Sequence, residues 1–287
     1  MSPVVDATSQ ASEEARADSI DVALGAVRAG QVVVLPTDTV YGIGCDAFSP
    51  EAVAAVLDAK GRGRDMPPPV LVPDQRTVDG LAREVPPWAR ELIDQLWPGP
   101  LTLVLHAQPS LHWDLGETDG TVALRMPDDE VALQLLRVTG PMAVTSANRT
   151  GQPAATSVIE AAAQLGSAVE VYLDGGPRVD VQPSTILDCT GDAPVLLREG
   201  ALPISEIREL LGDVTLRRDG EPSADTDEPT DSEPTADDPD SDDEQWQDQP
   251  DTETPGTETP DTETPDGQTP DTETPGSEHP DTEDTAR

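Results

Sequence analysis

Lys60, Arg62 and Arg64 alternate with Gly61 and Gly63 in the stretch KGRGR, and Lys60 is the sole lysine of the 287-residue chain. Cations spaced by glycines can fold around a multivalent anion, lysine serving as a compact point charge and arginine as a planar fork for phosphate oxygens. Cations after a helix also complement the negative end of its dipole, which accounts for one or two of these charges but not for three. Two further arginines follow: Arg198 ends a strand in LLREG, and Arg125 stands in TVALRMP, an otherwise apolar strand. A cation in that strand is costly unless it meets a carboxylate or an anionic ligand.

Hydroxyls and amides complete the candidate set. LPTDTVYGIG, residues 35–44, places Thr37, Asp38 and Thr39 after a short apolar run, then Gly42 and Gly44, where backbone can approach a ligand closely. Ser146 and Asn148 lie in VTSANRTG, and Ser184 opens STILD. Each is ordinary turn chemistry alone, but polar groups at strand ends are where α/β proteins place their ligands.

Other chemistries find little support. The chain has no GxxxxGK[ST] loop for a P-loop ATPase, and no histidine or cysteine framework for a metal. His106, His112 and His279 justify no serine-histidine-aspartate assignment. Aromatic residues are 2% of the chain, too few for a stacking platform on single-stranded nucleic acid. Two cysteines without metal-type spacing, Cys45 and Cys189, suit a reducing compartment. The polar, acidic N-terminus lacks the pattern of a signal peptide, and no apolar run reaches the ~20 residues needed to span a bilayer. The expected protein is soluble and cytoplasmic.

Alternating elements must position these groups. Ser49 as cap, Pro50 at the first position and Glu51 in the first turn predict a helix over 50–60 that Gly61 ends. Asp18 or Ser19 begins an earlier helix that stops at Gly30, and helical patterns recur over 86–96, 128–138, 157–165 and 204–211. Short β-branched runs predict strands in QVVVLP and over 69–73, 101–106, 121–126, 142–146, 169–174, 184–189 and 194–198. The expected fold is α/β, a single domain with a twisted mixed β-sheet and flanking helices.

Charge divides the chain. Residues 219–287 hold 26 acidic residues and one basic residue, within an overall net charge of −40. Proline recurs every five residues from 255 to 280 in the repeat DTETP, a period that suits neither helix nor strand and brings almost no apolar surface. Such a segment is expected to be a disordered, self-repelling tail. The expected organisation is a flexible N-terminus over 1–18, a catalytic domain over 19–212 and an acidic tail over 213–287.

In order, PTDTVYGIG, KGRGRD, WPGPLTLVL, TVALRMPD, TSANRTGQP, LDGGP, STILD and LLREG resemble the YrdC-like family of threonylcarbamoyl-AMP synthases over about residues 19 to 205. The resemblance implies a nucleotidyltransferase that condenses L-threonine, bicarbonate or CO2 and ATP into threonylcarbamoyl-adenylate and pyrophosphate. The product feeds N6-threonylcarbamoyladenosine modification of tRNA through partner proteins that complete the transfer. It implies that Thr39, Arg125, the backbone around Val144 and Ser184 hold L-threonine. Arg62, Thr121, Ser146, Asn148 and Arg198 would lie against ATP with Lys60 near its phosphates, Lys60 and Arg62 being the catalytic cations. Mg2+ is expected to come with the phosphates, with no metal held by the protein. The family often has asparagine, histidine, glutamate and serine where this chain has Met66, Leu71, Pro183 and Ala154. The competing reading is an RNA-binding module of the same fold without synthase activity, or weak RNA binding beside it.

Overall fold

A computed structural model describes residues 2–179 and 182–220. Its helices are α1 (Glu13–Arg28), α2 (Pro50–Lys60), α3 (Val78–Leu81), α4 (Pro87–Leu96), α5 (Glu130–Thr139), α6 (Val158–Leu165) and α7 (Ile204–Leu211). Its strands are β1 (Val4–Asp6), β2 (Val33–Leu35), β3 (Gly42–Asp46), β4 (Val70–Leu71), β5 (Ala82–Arg83), β6 (Leu101–Ala107), β7 (Thr121–Arg125), β8 (Met142–Ser146), β9 (Val171–Asp174), β10 (Thr185–Asp188), β11 (Val195–Arg198) and β12 (Arg217–Arg218). They form one mixed sheet in the order β1-β9-β2-β3-β8-β4-β7-β6-β10-β11-β12, with β5 paired to β6. The expected α/β fold with a mixed sheet is what the chain adopts.

Period-two alternation divides the apolar residues between two cores. On β2, Val33 and Leu35 pack with Ala23 and Val27 of α1 and Leu135 and Leu136 of α5. Val34 between them joins the core that contains Val53 and Val56 of α2, Leu92 and Ile93 of α4, and Ile207 of α7. The same alternation governs the strands of the cavity described below. Leu101, Leu103 and Leu105 of β6 and Leu124 of β7 enter the second core, so the residues between them face the other way.

Local chemistry places α2 as expected. Ser49 caps it by accepting from Ala52 N at 3.3 Å, Pro50 occupies its first turn, and Gly61 ends it in the left-handed conformation at φ 63°. That turn aims KGRGR back over the sheet.

Where a flexible N-terminus is expected over 1–18, the described residues 2–18 hold β1 and the start of α1. Ser12, not Asp18 or Ser19, caps α1, with Glu13 and Glu14 in its first turn. Ser19 is instead buried and donates to Asp6 O at 2.6 Å, tying α1 to β1. Strand β1 pairs in parallel with β9, Val4 opposite Tyr172. At the other end β12 pairs with β11, so the described fold continues past the boundary expected at residue 212. The acidic repeat lies outside the described residues. Among the described residues, no helix is long and apolar enough to cross a membrane.

Candidate active site

Where the sheet face is not covered by α1 and α5, alternate residues of β6, β7 and β10 floor a cavity of about 550 Å³. Thr102 and Val104 of β6, Thr121, Ala123 and Arg125 of β7, and Ile186 of β10 line it, joined by Ser184 just before β10. The register puts Thr102 opposite Ile186 and Val104 opposite Ala123, so one pleated face supplies the floor. Thr39, Val144, Ser146 and Asn148 form another wall, and Arg62 and Arg198 line the cavity as well. A space of this size suits a small-molecule ligand.

Among the described residues, the charged ones lining this cavity are three arginines, Arg62, Arg125 and Arg198, in a chain with 57 acidic and 17 basic residues. Burial, then the charges of Arg125 and Arg62, hold the Arg198 guanidinium below the ordinary arginine range. Burial lowers Arg62 too. Arg62 Nη1 donates to Thr145 Oγ1 at 2.9 Å, whereas its Nε is buried without a hydrogen-bond partner among the described residues. Arg198 holds the chain rather than a carboxylate, donating from Nε and Nη2 to Ser184 O at 3.0 and 2.8 Å. An arginine whose donors meet only neutral acceptors leaves its charge available to a ligand.

Arg125 is tied at three points. Its Nε donates to Gly99 O at 3.0 Å, Nη1 to Thr39 Oγ1 at 3.2 Å and Nη2 to Asp38 Oδ1. One N–H on each terminal nitrogen remains, an arrangement that can take a carboxylate bidentately. The Thr39 hydroxyl belongs to a directed chain. Thr37 Oγ1 spends its proton on Val40 O at 2.6 Å, so in the 3.1 Å contact between the two hydroxyls Thr39 must be the donor. Thr39 therefore accepts from Arg125, donates to Thr37 and offers the cavity an acceptor only. On the opposite side Ser184 Oγ lies 2.8 Å from Thr102 Oγ1 and accepts from Arg198 Nη2 at 3.2 Å.

Of the residues singled out in the sequence, Thr39, Arg62, Thr121, Arg125, Val144, Ser146, Asn148, Ser184 and Arg198 all line the one cavity. Lys60 does not. Its ammonium, 4% exposed, donates to Ser146 O, to Asn148 O at 2.8 Å and to Asn148 Oδ1 at 3.4 Å. Burial, with Arg62 nearby, lowers its pKa to about 8. The Asn148 amide is also engaged, its Nδ2 donating to Arg149 O and Gln152 O at 2.9 and 2.8 Å. The backbone N–H of Val144 donates to Pro69 O at 2.8 Å, which brings the proline segment against β8.

Gly42 lines the cavity, and both Gly42 and Gly44 also make room for β8, because a Cβ on either would come 2.6 Å from a Val144 methyl. Sequence reasoning passed over Thr102 and Thr145, which partner Ser184 and Arg62. The clue is alternation: Thr102 interrupts the apolar run LTLVL at a position facing the floor. Leu71 and Ala154 also line the cavity and present apolar surface there.

Residues 25–200 match the Sua5/YciO/YrdC family model, described as telomere recombination. A putative threonylcarbamoyl-AMP synthase of Mycobacterium tuberculosis (strain H37Rv) is 54% identical over 202 residues, which cover 70% of this chain and 93% of that protein. The threonylcarbamoyl-AMP synthase of Pyrococcus abyssi is 39% identical over 199 residues, covering 69% of this chain and 58% of that one. The crystal structure of P. abyssi Sua5 complexed with L-threonine superposes with a TM-score of 0.70 at 35% identity, over 75% of this chain and 63% of that one.

Proposed function

The chain belongs to the Sua5/YciO/YrdC family, and we propose that it is a threonylcarbamoyl-AMP synthase, condensing L-threonine, bicarbonate or CO2 and ATP with release of pyrophosphate. The observation that carries this reading is the cavity that the described residues line with three arginines and no carboxylate. Its substrates are an amino-acid carboxylate and a polyphosphate, two anions that repel each other until cations align them.

In this proposal the two free N–H groups of Arg125 take the threonine carboxylate bidentately. Thr39, which offers only an acceptor, meets a donor on threonine, its ammonium or hydroxyl. Ser184 and the backbone at Val144 close the amino-acid end. Arg62 and Arg198 take the phosphates, with Thr121, Ser146 and Asn148 on the nucleotide side. The neutral amine of threonine forms a bond to the carbon of CO2 and releases a proton to solvent, leaving a carbamate. A carbamate oxygen then bonds to the α-phosphorus as the bond to the bridging oxygen breaks, and that electron pair leaves on pyrophosphate. The protein contributes alignment and neutralisation of charge, the terms that dominate phosphoryl-type transfers.

Among the described residues, no carboxylate lines the cavity and there is no group of three or more potential acidic, histidine or cysteine ligands. The described residues do not fit a protein-held Mg2+. Phosphate oxygens and water are its proposed carriers, and no step is assigned to it. The product is proposed to pass, in the cytoplasm, to proteins that transfer threonylcarbamoyl to tRNA. The catalytic unit is proposed to end by residue 220, with the acidic repeat as an appendage. An RNA-binding role gains no support from the cavity: its one aromatic, Tyr41, is buried and spends its hydroxyl on Gly176 O at 2.7 Å.

Pyrophosphate release by the purified full chain tests the reading, with threonine and bicarbonate omitted in turn. The expected release requires both; release indifferent to either omission overturns it.

A further inference from the structure

Lys60 closes α2, and among the described residues it forms no ion pair with a carboxylate. A buried ammonium is costly unless each proton finds an acceptor. Here three acceptors meet three protons: Ser146 O, Asn148 O and Asn148 Oδ1. Ser146 ends β8, and Asn148 lies in the turn after it. That turn answers through its backbone, Thr150 N donating to Lys60 O at 2.9 Å. Asn148 Nδ2 then crosses the loop to Arg149 O and Gln152 O. Lys60 is thus the hub of a latch joining the end of α2 to residues 146–152, three of which, Ser146, Asn148 and Gln152, line the cavity.

With its donors spent, the ammonium has no proton left for a phosphate oxygen. We propose that Lys60 is a positioning residue: it sets the Ser146–Asn148 turn against the nucleotide and lends its charge through that turn, without touching the ligand. The inference rests on reading the cavity as a nucleotide site. It also explains why an otherwise arginine-only chain keeps one lysine here. Acceptors on Ser146 and Asn148 converge on one point, which suits a tetrahedral ammonium and not the wide fork of a guanidinium.

The unique lysine makes the test selective. Lysine labelled with 13C at Cε gives one signal in the full-length protein, and its shift during a pH titration without ligand reads the protonation of Lys60 directly. A midpoint near 8 is expected from the buried, Arg62-neighboured ammonium. A signal whose shift at neutral pH does not change when the chain is unfolded in urea means a solvated side chain and overturns the latch; three bonds to the ammonium oppose the effect of burial, so the midpoint alone does not. The second arm is a double-mutant cycle on the ATP KM. Lys60→Met is expected to raise it about tenfold, Asn148→Ala at least as much, and the pair no further than Asn148→Ala alone, because Lys60 acts through that turn. Additive losses mean that Lys60 acts on the nucleotide independently and overturn the proposal even if the midpoint is near 8. Loss of ATP use by the unsubstituted chain would be a failure of the cavity's functional reading, whereas the titration is read without any nucleotide.

Discussion

Arg125 donates from Nη2 to Asp38 Oδ1 at 2.5 Å, and the two side chains are only 8% and 12% exposed. Arg125 lines the cavity, whereas Asp38 does not and holds it from behind. Asp38 orients the guanidinium while Thr39 and Gly99 hold its other nitrogens, so the fork is set before a carboxylate arrives. Asp38→Ala leaves a buried cation without its partner and is expected to cost ~3–5 kcal/mol of folding stability. Urea denaturation of the full chain measures this. Asp38→Asn keeps an acceptor for Nη2 but removes the charge, so it is expected to cost nearly as much; a clearly smaller loss would make the hydrogen bond, not the charge, the reason.

Thr39→Val tests the directed hydroxyl chain. Valine keeps the shape and removes the acceptor presented to the cavity, together with the bonds to Arg125 and Thr37. The threonine KM is expected to rise about tenfold or more, from the loss of ~1.5 kcal/mol of hydrogen bonding to a charged partner, with the ATP KM little changed. A rise confined to ATP would place the amino acid elsewhere.

Arg62→Ala and Arg198→Ala should divide the other way. Each removes a charge-assisted contact worth ~1.5–3 kcal/mol, so pyrophosphate is expected to bind roughly ten- to 150-fold more weakly, with the wild-type affinity itself falling as salt rises. Isothermal titration at two ionic strengths measures both effects.

Much of this site was legible in the sequence because it is written in short segments. Arg125 was anomalous as a cation in an apolar strand, and that anomaly is a matter of burial cost that needs no fold to notice, whereas Arg198, exposed at the end of β11, gave only a weak signal. The cap, first-turn proline and closing glycine of α2 are local chemistry, and the structure reproduces that helix at 50–60. What was not legible depends on partners distant in the chain. Lys60 and Arg62 look alike in KGRGR, yet one faces the cavity and the other is sealed by carbonyls 86 and 88 residues away. Strand β3 was hidden by its glycines, whose need appears only when Val144 lies across them. Strand β1 is three residues long and mostly exposed, so it has no apolar pattern to read until β9 pairs with it.

Cys45 and Cys189 are both buried and unpaired. Burial pushes the Cys45 thiol up to about 12 and raises Cys189 as well, so neither forms a thiolate near neutral pH. Iodoacetamide at pH 8 is expected to leave the native chain unmodified and to alkylate both thiols once it is unfolded, read by mass spectrometry. Rapid native alkylation would show that one of these segments opens to solvent.

Ending the chain after residue 220 keeps every described strand and helix, β12 included. Such a truncation is expected to preserve both the thermal midpoint and the rate of pyrophosphate release. A severalfold loss of rate at unchanged stability would assign the acidic repeat a part in turnover.

The most direct measurement is of the product itself. The full chain is incubated with ATP, L-threonine and 13C-bicarbonate, and the nucleotides are resolved by mass spectrometry. The expected species is an AMP adduct carrying threonine and the labelled carbon, formed in equal amount to pyrophosphate. An adduct without the label, or ADP and phosphate in place of AMP chemistry, would contradict the synthase assignment.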